Sequence, residues 1–346
     1  MKVREYRAGD EEGIAELFET RSSRRNLLDA WSWRYVDAPG AFDAPAVFVA
    51  EQERICGYGS LVRGDLIVAG EKYPAGQIGT GALGRSSGDL DVDSEIIDAL
   101  VRRARDEGLA YVYIAATERA QPFFESLDFD FVCELNARNL YIGLEGLSSR
   151  LSRRAVSPFR KLAKEARRIR TKITTVPIDD AILATLGRAM AAPEERVELG
   201  IDKSIEQLTW RYKDDPRFDY ELWVYRKNAG QGIDACAFVR RYKSETGRTI
   251  VHVDEQWTRQ SGRRAQAKLF TELAMLGLTE EVDVVRCFAP GGTAREQALL
   301  GIGCIRKKVE RVLLVQRLDE SAPELEAPFE AKEIHISAGD LELYDP

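Results

Sequence analysis

The sequence predicts a mixed α+β fold built twice, each copy a mostly antiparallel sheet flanked by helices. Three observations carry this. First, Trp33-Arg34-Tyr35-Val36-Asp37-Ala38-Pro39 returns half a chain later as Trp210-Arg211-Tyr212-Lys213-Asp214-Asp215-Pro216, with five of seven positions identical. Second, each copy closes a helical pattern and is stopped by Pro, which lacks an N–H and disfavours helix in the residue before it. Third, the same order of strands and helices follows each copy. Chance repeats a tripeptide far more readily than WRY-x-D-x-P in matched surroundings, so a duplicated domain is expected.

Taken in order, Met1 to Arg7 alternates like a strand, and Gly9-Asp10 opens a helix with Ile14, Leu17 and Phe18 on one face. A second helix carries Leu27, Leu28, Trp31 and Tyr35. A hairpin follows, Val47 to Glu51 and Ile55 to Val62, then strands at Leu66 to Tyr73 and Gln77 to Leu83. A helix from about Asp93 to Glu107 places Ile96, Ile97, Leu100, Val101 and Ala104 on one face and stops at Gly108. Ala110 to Ala116 reads as a buried strand and Arg119 to Leu127 as a short helix. Two closing strands are expected, Phe129 to Val132 and Asn139 to Ile142.

The second half repeats this order. A helix near Ser204 to Tyr212 precedes strands at Tyr220–Arg226, Ile233–Arg241 and Thr249–Asp254. A helix from about Arg263 to Leu276, a strand Val282–Phe288, a short helix to Leu300 and a strand Arg311–Gln316 complete it. The expected division is residues 1–145, a basic helical linker 146–202, and 203–346 with an acidic tail. The linker holds ten Lys and Arg between Arg150 and Lys172, with a helix start at Ser157-Pro158. The tail contains the strand-like Glu333-Ile334-His335-Ile336.

Composition bounds the function. The 346 residues are 44% hydrophobic and 31% charged, an ordinary soluble mixture with length for two cores. No apolar run is long enough to span a membrane, and no signal-peptide pattern opens the chain, so a cytoplasmic location is expected. Five cysteines without CxxC spacing read as buried free thiols. Two histidines exclude a multi-histidine metal site, and no metal is expected. The net charge of −7 argues against a general nucleic-acid binder.

Val49-Ala50-Glu51 with Ile55-Cys56-Gly57-Tyr58 is similar to the second and third strands of the GNAT acyltransferase superfamily. Ala116 to Phe129 resembles that family's last helix, which ends in Leu-Gly-Phe, and Leu300-Gly301-Ile302-Gly303 is its counterpart. The whole chain resembles a tandem GNAT protein. The resemblance implies acyl transfer from acetyl-CoA or another acyl-CoA, as substrate, to an amine of a small metabolite or sugar. It also implies a pyrophosphate loop of the type Q/R-x-x-G-x-G/A at the start of the helix after the splayed strand, where free N–H groups and the helix dipole favour an anion.

In the first half that loop falls on Gly88-Asp89-Leu90-Asp91-Val92-Asp93, where three carboxylates oppose a pyrophosphate; a shifted alternative is Arg85-Ser86-Ser87-Gly88. In the second it falls on Arg259-Gln260-Ser261-Gly262-Arg263-Arg264-Ala265, which is basic, with Ala265 one place late. Arg259, Gly262, Arg263, Arg264 and Ala265 are the candidate CoA ligands. The family's acidic tyrosine is replaced by Phe124 and Gln297. Candidate bases on the splayed strand are His252, Asp254 and Glu255; strand alternation places the first two on one face and Glu255 on the other. Two other readings stay open: a FemABX-like aminoacyl-tRNA-dependent transferase, in which the basic segment meets RNA, and a non-catalytic protein of this fold.

Overall fold

The structure is a computed structural model. It describes residues 1–18, 27–81, 90–141, 173–190, 198–226, 232–244, 247–259, 269, 271, 282–301, 303–306, 311–325, 334–337, 339 and 341. The basic segment 148–172 lies outside them. Among the described residues no helix is long and apolar enough to cross a membrane.

The first half begins with β1 (Lys2–Glu5), α1 (Asp10–Ala15) and α2 (Trp31–Tyr35). The strands β2 (Ala46–Glu51) and β3 (Ile55–Arg63) form the expected hairpin. Next come β4 (Leu66–Val68), β5 (Glu71–Tyr73) and β6 (Ala75–Gly81). The helix α3 (Leu90–Asp106) buries Ile96, Ile97, Leu100, Val101 and Ala104 against Leu61, Ile78, Val112 and Ile114. It lies so close to the sheet that a Cβ on Gly59 would come within 2.6 Å of Ile96 and 2.8 Å of Leu100. Gly108, at φ +68°, ends the turn after it. The strand β7 (Tyr111–Ala116), α4 (Gln121–Glu125) and β8 (Asp130–Tyr141) complete this part.

The second half carries β9 (Ile173–Val176), α5 (Asp180–Met190), β10 (Leu199–Ile201) and α6 (Ile205–Tyr212). Residues 173–190, read from the sequence as linker, thus hold a strand that pairs with the second-half sheet and a helix packed on α6. Then come β11 (Glu221–Tyr225), β12 (Ala235–Lys243), β13 (Thr249–Thr258), β14 (Val284–Pro290), α7 (Ala294–Gly301), β15 (Ile305–Arg306) and β16 (Arg311–Arg317). The last strand, β17 (Ile334–His335), comes from the tail.

The fold is mixed α/β with mostly antiparallel sheets flanked by helices, as expected. One expectation is corrected: neither half closes its own sheet. A single 13-stranded sheet runs β1-β2-β3-β6-β7-β16-β8-β14-β13-β12-β11-β9, with β15 beside β8. The last long strand of each half crosses into the other. The strand β16 lies between β7 and β8, pairing Val312 with Ala116 and Glu134. The far part of β8 in turn pairs with β14, from Leu135↔Pro290 to Tyr141↔Val284. The two closing strands expected over 129–142 are therefore one strand, paired with β16 in its first part and with β14 and β15 in its far part.

The repeated motif meets itself. Trp33 and Trp210 stack with ring centroids 4.6 Å apart and planes 16° from parallel. Each indole N–H donates to the other's backbone carbonyl, at 2.8 Å and 2.7 Å. Both rings are buried, and the Arg217 guanidinium covers Trp33 at 4.3 Å from its centroid.

A second, small sheet joins distant segments in the order β17-β10-β4-β5. Leu199 pairs with Val68 on one side and with Ile334 on the other. Leu66, Val68, Leu199, Ile201, Ile334, Ile336 and Leu341 share one apolar core, so Ile334, Ile336 and Leu341 of the tail are part of the fold. The five cysteines are free and four are buried. Burial pushes the thiols of Cys133 and Cys304 up to about 12.

Candidate active site

The strands β13 and β14 run parallel from Ile250↔Val284 to Val253↔Cys287, and there their pairing ends. Beyond that point each keeps only its outer neighbour, β13 following β12 to Thr258 and β14 following β8 to Pro290. At the same level β13 bulges against β12: Val253 faces Val239 and Glu255 faces Phe238, so Asp254 is the extra residue. This corrects the alternation read from sequence. His252 faces Arg240 and Glu255 faces Phe238, and positions 238 and 240 share a face of β12. The bulge therefore brings Glu255 to the same side as His252.

The three candidate bases still occupy different environments. His252 and Asp254 belong to a closed polar network. His252 Nδ1 pairs with Asp254 Oδ1, and Arg240 Nε donates to Asp254 Oδ2 at 2.7 Å. All three are buried, and Arg240 also lies over the Phe218 ring at 4.5 Å. Burial works against the charged carboxylate of Asp254, but His252 and the Arg240 guanidinium more than offset it and hold its pKa below the ordinary value. Burial dominates at His252 and lowers its pKa in spite of Asp254, so the ring is neutral near pH 7 and Nδ1–H is the donor. His252 Nε2 finds no hydrogen-bond partner among the described residues.

This fixes a pH dependence. A lowered folded pKa on a base means that the unfolded chain binds the extra proton, so stability falls as pH drops through about 6.5, the ordinary histidine value. Asp254, also lowered, adds its loss only below its ordinary value of 3.8. The urea midpoint at pH 5.5 is expected to correspond to roughly 1 kcal/mol less stability than at pH 7.5. A His252→Gln variant should lose that difference. Equal pH dependence in both proteins would place the titration elsewhere.

Glu255 faces a cavity of about 70 Å³, on a scale where one water needs roughly 10–15 Å³. Ile67, Ile201, Lys203, Trp257 and His335 line it with Glu255. With Met190 and Arg295, the walls thus come from β4, the end of α5, β10 with the turn after it, the end of β13, α7 and the tail. Lys203 Nζ pairs with Glu255 Oε2, which also accepts from Ser337 Oγ at 2.9 Å. Glu255 Oε1 accepts from the backbone N–H of Gln256 at 2.8 Å. The tail is tied to β13 here: Gly339 N–H donates to the Asp254 carbonyl at 2.9 Å, and Arg295 Nη1 to the Ile336 carbonyl at 3.1 Å.

Of the candidate CoA ligands only Arg259 is described. Its guanidinium donates to the Ile233 carbonyl at 3.1 and 3.2 Å, beside the end of β13. Gly262, Arg263, Arg264 and Ala265 lie outside the described residues, as do Gly88 and Asp89 of the first-half loop. Phe124 is buried among Phe123 and Phe129, and Gln297 is exposed on α7. Among the described residues no group of three His, Cys, Asp or Glu side chains is placed to hold a metal. Lys203, Trp257 and Ser337 were missed from sequence. Trp257 was within reach, two places beyond Glu255 on one strand. Nothing local connects Lys203 or Ser337 to Glu255.

No family model and no curated protein matches the chain. Solved structures match its fold. A GCN5-related N-acetyltransferase from Anabaena variabilis superposes with a TM-score of 0.61 at 8% identity, over 92% of this chain and 73% of that one. One from Kribbella flavida does so with a TM-score of 0.55 at 12% identity, over 92% and 71%. Saccharomyces cerevisiae N-myristoyltransferase, solved with bound myristoyl-CoA, gives 0.57 at 11%, over 84% and 70%. At such identities the likeness establishes the fold alone.

Proposed function

We propose that this chain, folded like the GCN5-related N-acetyltransferases, moves an acyl group from an acyl-CoA to the amine of a small acceptor. Glu255 is the general base and the acceptor sits in the Glu255 cavity. One observation carries this: the bulge that turns Glu255 into a cavity lies where β13 parts from β14, the opening in which this fold admits a thioester. Residues 203–346 are then the chemical part, joined by 173–190, which pack on them, and by Ile201 and Asp202 on the cavity wall, while the first half supplies a wall through Ile67. The two closed networks divide the work. Asp254 is shut in between His252 and Arg240 and holds the bulge, whereas Glu255, bonded to Lys203, Ser337 and the Gln256 N–H, stands at the cavity wall.

In the reaction the amine lone pair attacks the thioester carbonyl carbon and the N–C bond forms. Glu255 takes the N–H proton, directly or through one water. The C–S bond breaks, its electron pair leaves on sulfur, and the thiolate takes up a proton to give free CoA. Phe124 and Gln297 stand where the family's tyrosine would deliver that proton, so solvent supplies it.

The CoA pyrophosphate is assigned to the loop from Arg259 to Ala265. Unit charges about 4 Å apart interact by roughly 4 kcal/mol at an effective dielectric of 20, favourably for these arginines and unfavourably for Asp89, Asp91 and Asp93. Salt shrinks both without reversing either. Arg263→Glu with Arg264→Glu is expected to weaken acetyl-CoA binding, measured by calorimetry, by at least about tenfold. Asp89→Asn with Asp91→Asn should change it little. Loss of binding only when Arg85 or Gly88 is altered would move the site to the first half. Absence of CoA binding in the wild-type protein would leave a non-catalytic protein of this fold.

A further inference from the structure

The wall of the Glu255 cavity carries Trp257, whose indole donor is unmatched among the described residues. Trp257 is 6% exposed, and the unmatched donor is its Nε1–H. Buried donors are nearly always satisfied, so this one points to a missing acceptor. Its ring belongs to the buried apolar core that also holds Leu183, Leu186 and Phe238, which leaves the N–H little freedom to turn toward solvent. Two residues along a strand are about 6–7 Å apart and face the same way, so Trp257 stands one step beyond Glu255 on the cavity wall.

We infer that Trp257 selects the acyl acceptor: a small primary amine that carries an uncharged oxygen a few bonds from its nitrogen, as in an amino alcohol, amino ether or amino amide. The amine meets Glu255 and the oxygen accepts from Trp257 Nε1. An uncharged oxygen suffices because the indole N–H is a neutral donor and Lys203 and Asp202 on the wall are already paired. Lys203 pairs with Glu255, and Arg295 donates to the carbonyls of Ile336 and Gln256. Asp202, also on the wall, is matched by Lys72 at 2.9 Å. The inference rests on the acyl-transfer reading for its first assay and stands apart from it in its second.

The probes are 2-methoxyethylamine and n-butylamine, which differ by one oxygen in place of one methylene. The quantity read is the ratio of their kcat/KM values with acetyl-CoA. Differences in amine basicity enter equally for every protein variant and cancel when ratios are compared. In Trp257→Phe, which keeps an aromatic ring and removes the N–H, the ratio is expected to fall by about three- to tenfold, the worth of one hydrogen bond. An unchanged ratio overturns the inference.

The second measurement needs no turnover and no variant. With 2-methoxyethylamine, the Trp257 indole resonance in a ¹H–¹⁵N spectrum of the wild-type protein should shift, and with n-butylamine it should not. If acyl transfer is absent but the resonance moves selectively, the cavity assignment stands and the acyl-transfer reading falls. If transfer occurs and the resonance is indifferent to the oxygen, the transfer reading stands and this inference falls. If both amines shift the resonance equally, or neither does, the inference is overturned.

Discussion

Glu255→Gln is expected to lower kcat for acyl transfer by about 10²- to 10⁴-fold, the range for removal of a positioned general base. The substitution keeps the side chain's shape and its bond from Ser337, so the cavity should survive, while the amide cannot take a proton. Affinity for acyl-CoA should be unchanged, because its pyrophosphate is assigned to the loop from Arg259 to Ala265 and not to Glu255. Glu255 is 3% exposed and neutralised by Lys203, so the variant also leaves a mostly buried ammonium unmatched. Some stability will be lost with it, and the rate is therefore to be measured in single turnover at a temperature where both proteins are folded. A variant retaining more than a tenth of the wild-type rate removes Glu255 from the mechanism. A larger loss in Asp254→Asn, at preserved stability, would instead identify the His252–Asp254 pair as the base.

The second large effect concerns stability. Trp33→Ala and Trp210→Ala should each cost about 3–5 kcal/mol, the range for deleting a large aromatic from a core. Each removes a stacked ring and one of the two reciprocal indole-to-carbonyl bonds. The second substitution acts on an already damaged pair, so the double variant should cost less than the sum. The difference is expected at about 1–3 kcal/mol, as for residues in direct contact. Urea denaturation of the four proteins measures it. Strictly additive losses would mean that the two rings do not support each other.

Much of the fold was legible because it is written in local patterns. The stripe Ile96-Ile97-Leu100-Val101-Ala104 gave α3, and the start of that helix was missed by three residues because Asp91 and Asp93 look like loop. The strand β8 was split in two for a related reason. Asn136 and Arg138 interrupt the apolar run and fall in the gap left between the two expected strands, whereas in the fold they and Asn139 are buried and partnered from elsewhere. Glu296 pairs with Arg138 and accepts from Asn136 at 3.2 Å, and Asn139 accepts from Arg286 at 3.1 Å. Those partners lie roughly 150 residues away, where no local pattern reaches.

The candidate site was legible to the level of the strand. Alternation located Glu255 and misassigned its face, because a bulge adds a residue without a mark in the sequence. The exchange of β8 and β16 was invisible for a similar reason: alternation says which residues face a core and not which strand lies alongside.

That exchange has a consequence for how the chain is made. A ribosome adds about 5–20 residues per second, so roughly 200 residues separating β7 from β16 take on the order of 10–40 seconds to appear. Through that interval β7 presents a bare edge along Tyr111–Ala116, the row that β16 will cover. Such an edge invites pairing with the wrong strand or with another nascent chain. Pairings this distant in sequence also form slowly once they become available. The nascent protein is therefore most open to misassembly and to chaperones late in synthesis, with nine-tenths of the chain already made and neither lobe able to shut.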